Sequence, residues 1–219
     1  MAEASPAQPD IVAPSLDHLA DGLPGDLVAK EYHEGLRFTG LDLTGRDLSG
    51  ATFDGCEFDG LEADDAKLKA VRLLDSRFTK VTAPSLDVSR SGLRDTELTA
   101  SRLGAVEMFE SELRSVRFAR SRLIWLNLRS AKLTDVLFED CIFDEVDFAQ
   151  VTGQRVAFRN CTATMARFDR AKLADVDLRG LDFTGISGLD GLRGATVSAF
   201  QATMLNDVFL DHFGISVTG

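Results

Sequence analysis

The segment Gly40–Gly60 reads GLDLTGRDLSGATFDGCEFDG, and one pattern returns in it at every fifth residue. Leu43, Leu48, Phe53 and Phe58 are large and apolar, and a second residue, usually smaller, stands two positions before each of them. The intervening residues are mainly Asp, Thr, Ser and Gly. A unit of five residues is therefore the first structural element that the sequence defines.

The five-residue phase continues unbroken from Phe38 to Phe183, which gives 30 central positions. Leu, Phe, Val or Met occupies all but four of them, and these four carry Ala63, Ala83, Ala163 and Gly153. The position two residues earlier is also restricted, with Arg46 as the clear exception. Each repeat thus specifies two side chains that point into a core.

A helix cannot produce this pattern, because five residues advance an α-helix by about 500° and would spread the apolar side chains around its axis. A straight strand fails as well, since an odd period turns the apolar residue to the opposite face at each repeat. The pattern therefore predicts one short extended side per repeat, followed by a bend that restores the alternation. Such a chain coils.

The phenylalanines indicate how many sides make one turn of the coil. Six of them lie on a single 20-residue spacing: Phe38, Phe58, Phe78, Phe118, Phe138 and Phe158. Leu98 and Leu178 complete the column. Four sides per turn follow, and the 30 repeats then make about seven and a half turns, or a rod of about 36 Å at the spacing of paired strands.

These repeats resemble those of the pentapeptide-repeat family, in which a small residue, Asp or Asn, Leu or Phe, a polar residue and often Gly follow one another. The sequence shows the pattern as GLDLTG, RDLSG, CEFDG, AKLTD, VDFAQ, AKLAD and VDLRG, and it covers residues 36–183. The resemblance implies an all-β fold, a right-handed quadrilateral parallel β-helix of about seven to eight coils. A C-terminal α-helix for capping and dimerisation completes the predicted fold.

The predicted organisation has four parts: a flexible N-terminal tail at 1–14, an N-terminal cap at 15–35, the β-helix at 36–187, and a C-terminal helix and tail at 188–219. Ser198 is a suitable N-cap and Gly214 a suitable end for the helix. Phe200, Met204 and Phe209 are expected to plug the last coil. The resemblance implies tail-to-tail homodimers, with this predicted interface: Phe200, Met204, Leu205, Phe209 and Phe213.

The formal net charge of −11 argues against direct binding of nucleic acid. We expect no membrane contact and a cytoplasmic location, because the sequence has neither a long apolar run nor the features of a signal peptide.

Histidines and cysteines offer little chemistry. His18, His33 and His212 lie outside the repeats, and each stands without a nucleophile or a set of ligands at a useful spacing. The thiols Cys56, Cys141 and Cys161 fall on inward positions. Cys141 and Cys161 lie 20 residues apart, which is close enough for a disulfide on adjacent coils. The simpler interpretation is that all three are reduced core residues. The sequence therefore predicts no enzyme, no catalytic or cofactor-binding residues and no metal.

Outward charge is unevenly distributed along the predicted rod. A first acidic band contains Asp54, Glu57, Asp59, Asp64 and Asp65, and a second contains Asp135, Glu139, Asp140, Asp144, Glu145 and Asp147. Arginines concentrate between them.

Qnr-type and MfpA-type members of the family bind DNA gyrase or topoisomerase IV in place of DNA, so the resemblance implies a DNA mimic that modulates these enzymes, with quinolone or toxin resistance as its outcome. The unbroken phase leaves no room for the loop of many Qnr proteins and is compatible with a smooth rod of the MfpA type.

Two alternatives remain open at this stage. The charges can form an ordinary solvated surface with ion pairs between coils, such as Arg77 with Glu57 and Glu97. The rod can also act as a scaffold for another protein partner through an outward apolar patch, predicted to contain Ile124, Trp125, Leu137, Ile142 and Met165.

Overall fold

The computed structural model describes residues 5–217 of the 219-residue chain. Within this part the strands are β1 Ala20–Asp21, β2 Tyr32–Glu34, β3 Leu36–Thr39, β4 Thr52–Asp54, β5 Glu57–Asp59, β6 Ala66–Lys67, β7 Arg72–Leu74, β8 Arg77–Thr79, β9 Thr82–Asp87, β10 Gly92–Thr99, β11 Arg102–Glu107, β12 Glu112–Ala119, β13 Arg122–Asn127, β14 Lys132–Glu139, β15 Ile142–Asp147, β16 Thr152–Arg159, β17 Cys161–Arg167, β18 Lys172–Asp177, β19 Leu181–Ser187 and β20 Ala195–Thr196. Two 3₁₀ turns, Pro24–Asp26 and Leu189–Leu192, and the helix α1, Ala199–His212, lie outside the repeats.

All strand pairs are parallel, and the predicted quadrilateral parallel β-helix is confirmed, with about nine turns rather than seven to eight. The difference arises at both ends, where residues outside the repeats join the sheets. The strand β1 pairs with β3 at the start, and β20 pairs with β18 at the end.

The register of 20 residues confirms four sides per turn. Leu98 pairs with Phe118, Phe118 with Phe138, and Phe138 with Phe158. We name each face after a central residue of one coil. The Phe138 face carries the central residues 38 to 178, the Phe143 face 43 to 183, the Phe148 face 48 to 168, and the Leu133 face 33 to 173, each at intervals of 20.

The core is a set of stacked aromatic and aliphatic columns. The ring of Phe138 lies 5.0 Å from Phe118 and 5.0 Å from Phe158, with the planes nearly parallel. Phe148 stacks on Phe168 at 5.1 Å and meets Phe158 edge to face. Phe148, Phe158 and Phe168 line a small cavity beside Gly153, into which the Leu173 side chain also reaches.

Most corners between faces carry a residue with positive φ. In the early coils this residue is glycine, such as Gly40 and Gly60, and later it is often Asp, Asn or Arg. The corner between the Phe143 and Phe148 faces differs from the coil of β9 onward, because its residues, such as Ala105 and Glu145, are not among those with positive φ. A strand conformation accepts bulky side chains, and this is the corner that carries Trp125.

The aspartate of the repeat closes its turn. Asp47 and Asp87 each accept a hydrogen bond at 2.9 Å from the backbone N–H two residues later, and Asp147 does so at 2.7 Å. These side chains replace backbone partners at the bend, as in an Asx turn. The family preference for Asp before the central residue is therefore structural at these positions.

Polar side chains seal both ends of the rod. Arg46, the exception among the inward positions, donates to the carbonyls of Pro24 at 2.9 Å and Leu27 at 2.8 Å and so holds the N-terminal turn. Gln201, buried on α1, donates to the carbonyls of Leu178 at 2.8 Å and Leu181 at 2.7 Å. The terminal coils thus satisfy backbone groups that would lack partners at a bare end.

The predicted helix is confirmed, but its buried side is not the one we expected. Ser198 and Gln201 form reciprocal capping hydrogen bonds of 2.8 and 3.1 Å at its start, and Gly214 follows it with φ +65°. Leu205 is buried against the last coil, whereas Phe200 and Phe209 are exposed. The prediction that Phe200, Met204 and Phe209 plug the coil was wrong, because the positions of apolar residues along the helix do not fix which side of it meets the rod.

The N-terminal residues also differ from the predicted flexible tail. Residues 1–4 lie outside the described part, but residues 5–15 follow the corner between the Leu133 and Phe138 faces. The N–H groups of Ala7, Asp10 and Val12 all donate hydrogen bonds to side chains of this corner. We call residues 5–15 the strap.

Candidate partner-binding surface

The first acidic band winds around the rod. Glu57 lies between Arg37 at 2.8 Å and Arg77 at 3.9 Å, and Asp59 contacts Lys80 at 3.3 Å. Asp54 lies on the Leu133 face, where it accepts a hydrogen bond from Tyr32 at 3.0 Å, and Asp64 and Asp65 belong to the Phe143 side. The band does not form one acidic surface.

The Phe138 face carries a ladder of alternating charge. Arg77 contacts Glu97 at 3.1 Å in addition to Glu57, which confirms the predicted ion pairs between coils. Arg117 continues the ladder by pairing with Glu97 and with Glu139. Opposite charges on successive coils stabilise such a column, although each exposed pair contributes little.

The second acidic band is distributed over all four faces and is largely paired with arginine. Asp135, at the strap corner, binds Arg155 through two hydrogen bonds of 2.6 Å, which hold the pKa of this aspartate below its ordinary value. Asp147, on the Phe148 face, is buried and contacts Arg129 at 3.2 Å. Both carboxylates are paired within the fold, so neither contributes an unpaired charge to an acidic surface.

Three acids of this band share one side of the rod. Asp140 lies at the corner between the Phe138 and Phe143 faces and accepts a hydrogen bond from Asn160 at 2.7 Å. Asp144, on the Phe143 face, contacts Arg122 at 3.2 Å, and Glu145, at the next corner, contacts Arg167 at 2.9 Å. Arg167 lowers the pKa of Glu145, and a hydrogen bond from the Trp125 side chain acts in the same direction.

The apolar patch lies on this same side, without Leu137. Ile124 and Ile142 are 45% and 47% exposed, and Trp125 stacks in register below Glu145. Leu137 belongs to the Phe138 face and is buried beside the strap, so the structure does not bring it into the patch. Met165 lies next to Glu145 at the Trp125 corner.

Sequence reasoning found the arginines between the acidic bands but did not place any of them at the border of the apolar patch. Arg102 and Arg122 are direct neighbours on adjacent strands, and together with Arg120, Asp140 and Ile142 they line an open cavity of about 430 Å³. Like charges in register destabilise a sheet, so this arrangement contrasts with the alternating ladder on the Phe138 face. The 20-residue spacing of the two arginines was the signal that could have identified it. We call this side of the rod the mixed surface. It consists of the acids Asp140, Asp144 and Glu145, the apolar residues Ile124, Trp125, Ile142 and Met165, and the arginines Arg102, Arg120 and Arg122.

The remaining reactive groups have structural surroundings. His33 is buried, stacks on Phe53 at 4.9 Å and lies 3.2 Å from the carbonyl of Val28 through Nε2. Cys56, Cys141 and Cys161 are free and buried. A hydrogen bond with Cys161 and burial raise the pKa of the Cys141 thiol, which keeps it protonated.

Neither metal ligation nor a membrane-spanning helix finds support in residues 5–217. Within this range no three His, Cys, Asp or Glu side chains lie close enough together to hold a metal ion. The described helices include none with the length and apolar character needed to cross a membrane.

Two family models match parts of the chain. Residues 37–81 match the model for pentapeptide repeats, in eight copies, and residues 107–185 match the model for the SV2A/B/C luminal domain. Residues 37–81 thus match the pentapeptide repeats that the resemblance implied. No curated protein matches the sequence.

Solved structures similar to this chain include those of a resistance protein and of a protein involved in the regulation of differentiation. Full-length QnrB1, a plasmid-mediated fluoroquinolone resistance protein, is 17% identical over 87% of this chain and 93% of its own, with a TM-score of 0.40. HetL, a pentapeptide-repeat protein involved in the regulation of heterocyst differentiation in the cyanobacterium Nostoc sp. strain PCC 7120, is 17% identical over 84% of this chain and 92% of its own, with a TM-score of 0.45.

Proposed function

We propose that this protein is a non-enzymatic interaction rod that binds a protein partner through the mixed surface. The observation that carries the proposal is the exposure of Ile124 and Ile142 next to Trp125, within a border of charged residues. An apolar centre with aromatic and arginine side chains and a polar rim is the usual composition of a protein interface.

As the partner we propose DNA gyrase or topoisomerase IV, in the cytoplasm. The resemblance to family members that bind these enzymes supports this choice, and Asp140, Asp144 and Glu145 supply the acidic part of the contact. Arg122 and Arg167 pair with two of these acids. The acids therefore act within the mixed surface instead of forming a continuous row that imitates phosphates.

A scaffold for a different protein is the second candidate, and the apolar part of the mixed surface favours it. Binding that depends on Ile124 and Ile142 and resists salt would characterise this function, because exposed charge pairs are screened by salt and apolar contacts are not.

The deciding experiment is a titration of gyrase supercoiling by the purified protein, with and without a fluoroquinolone, at two salt concentrations. An acid variant combines D140N, D144N and E145Q, and an apolar variant combines I124S and I142S. Inhibition or protection by the natural protein that the acid variant loses supports topoisomerase binding. The absence of any effect at micromolar excess contradicts it and favours the scaffold function.

A matched control removes three acids elsewhere on the rod, at Glu110, Glu112 and Asp169, all of which are exposed. The combination E110Q, E112Q and D169N changes the net charge as much as the acid variant does. If this control loses activity equally, overall charge explains the effect and the mixed surface does not.

A further inference from the structure

The strap lies in a channel formed by the side chains of one corner. The N–H of Ala7 donates to Asp175 at 3.2 Å, that of Asp10 to Asp135 at 3.0 Å, and that of Val12 to Ser115 at 2.9 Å. Asp75 accepts a further backbone hydrogen bond, from Ser15. The acceptors are side chains of the corner positions, so the strap is bound without pairing as a strand.

The strap is extended and runs against the direction in which the coil advances. From Ala7 beside Asp175 to Ser15 beside Asp75 it passes five coils. At roughly 4.8 Å per coil, eight residues cover about 24 Å, or about 3 Å per residue, which is the rise of an extended or polyproline II chain. Pro6 and Pro14 are buried, and proline favours this conformation.

This mode of binding does not depend strongly on the sequence of the bound segment. The corner residues recognise backbone N–H groups, which every extended chain presents, and the buried prolines occupy positions at which no N–H is used. Gln8 adds one side-chain contact, at 3.3 Å to Asp177. The channel therefore fits an extended, proline-containing peptide as a class of ligand.

The strap does not fill the channel. An open cavity of about 360 Å³ remains between the strap residues Ile11–Pro14 and the Phe138 face. Leu137 contributes an apolar wall, and Glu97, Arg117 and Glu139 contribute the charged rim. Two of the strap residues that line it, Val12 and Ala13, are exposed and have short side chains.

We propose that this channel is a peptide-binding site, occupied in this structure by the protein's own strap. The partner is an extended, proline-containing segment of another protein, with a large apolar side chain in place of Val12 that enters the cavity. Binding of the partner displaces the strap. The channel lies on a different corner from the mixed surface, so the two proposals stand independently.

The test uses the full chain and fluorescent peptides. One peptide has the sequence of residues 5–16, and the second carries V12F. The protein is the natural chain or a strap variant with P6S, I11S and P14S, which weakens the strap and leaves the channel unchanged. Fluorescence anisotropy measures binding, and circular dichroism establishes that the variants fold.

We expect both peptides to bind the strap variant at least about tenfold more tightly than the natural chain, since a tethered competitor acts at roughly millimolar effective concentration. The V12F peptide should bind more tightly than the natural sequence. Equal binding to both proteins, or binding to neither, overturns the proposal.

A pair of glycine substitutions in the strap variant locates the site. S115G removes the acceptor for the N–H of residue 12 and keeps a residue suited to φ 54°. S130G makes the same change at φ 59° on the neighbouring corner, between the Phe148 and Leu133 faces, where the serine hydroxyl contacts Gln150. Weaker peptide binding with S115G alone supports the channel, and equal effects of the two changes contradict it.

Discussion

The side-chain nitrogen of Gln201 donates a hydrogen bond of 2.8 Å to the carbonyl oxygen of Leu178. The same nitrogen donates to Leu181 at 2.7 Å, and the Gln201 amide oxygen accepts from Ser198, so one buried side chain joins the helix to the last coil. Arg46 makes the equivalent pair of contacts at the other end. The rod therefore ends with a polar side chain at each terminus in addition to apolar packing.

Replacing Gln201 by leucine should destabilise the protein by roughly 2 kcal/mol or more, because two buried carbonyls lose their donor and the helix loses its reciprocal cap. Urea unfolding, followed by circular dichroism, measures the change. Asn206→Leu is the control, since Asn206 is exposed on the same helix. Similar midpoints for the two variants would contradict the end-sealing role of Gln201.

The aromatic column should carry much of the stability of the middle coils. Phe138 is fully buried between two stacked rings, so Phe138→Ala removes contacts on both sides and should cost about 3–5 kcal/mol. Thermal and urea unfolding measure this loss. Ile124→Ala, at a side chain 45% exposed, provides the comparison and should change stability far less. Comparable losses of stability in the two variants would show that the aromatic column does not dominate the stability of the middle coils.

The sequence predicted the columns because they depend only on the five-residue and 20-residue spacings. The pairing of Arg77 with Glu57 and Glu97 followed from the same spacing. Diagonal pairs such as Arg122 with Asp144 are 22 residues apart and depend on the direction of long side chains, which the spacing does not fix. For this reason the acidic bands looked less neutralised in the sequence than they are in the structure.

The strap could not have been predicted by the same reasoning. Its residues have no periodicity, and Val12 contacts Ser115, 103 positions away in the chain. Its backbone groups are bound by side chains that also fit an ordinary corner. A proline-rich segment is typical of a mobile tail, and only tertiary contacts distinguish a bound strap from such a tail.

Exposed aromatic side chains on α1 and directly after it predict self-association. Phe200 and Phe213 are 70% and 67% exposed, while Leu205 is buried against the rod and is therefore unavailable to the interface first predicted for it. The combination F200S and F213S should convert a dimer into a monomer, measured as a halved mass by light scattering. A monomeric natural protein at high micromolar concentration, or a variant that remains dimeric, would contradict this interface.

The corner residue Asp75 should weaken the fold at neutral pH. Partial burial, followed by the neighbouring charges of Asp95 and Asp54, raises its pKa above the ordinary value of 3.8. An acid with a raised pKa in the folded state binds protons more readily there than in the unfolded chain, so its unfavourable contribution is present at neutral pH and disappears as the pH falls below the raised value. Asp75→Asn should therefore raise the urea midpoint at pH 7 and leave it nearly unchanged at pH 3.

Asparagine suits this site because it accepts the φ of 45° found at Asp75 and its oxygen still accepts the hydrogen bond of Ser15, so charge is the main property that changes. Asp65→Asn makes the same substitution at φ 53° on an exposed corner and should have little effect at either pH. If Asp75→Asn lowered the midpoint at pH 7, the carboxylate would be stabilising the corner through its hydrogen bond with Ser15, and that contact would outweigh the repulsion from Asp95 and Asp54.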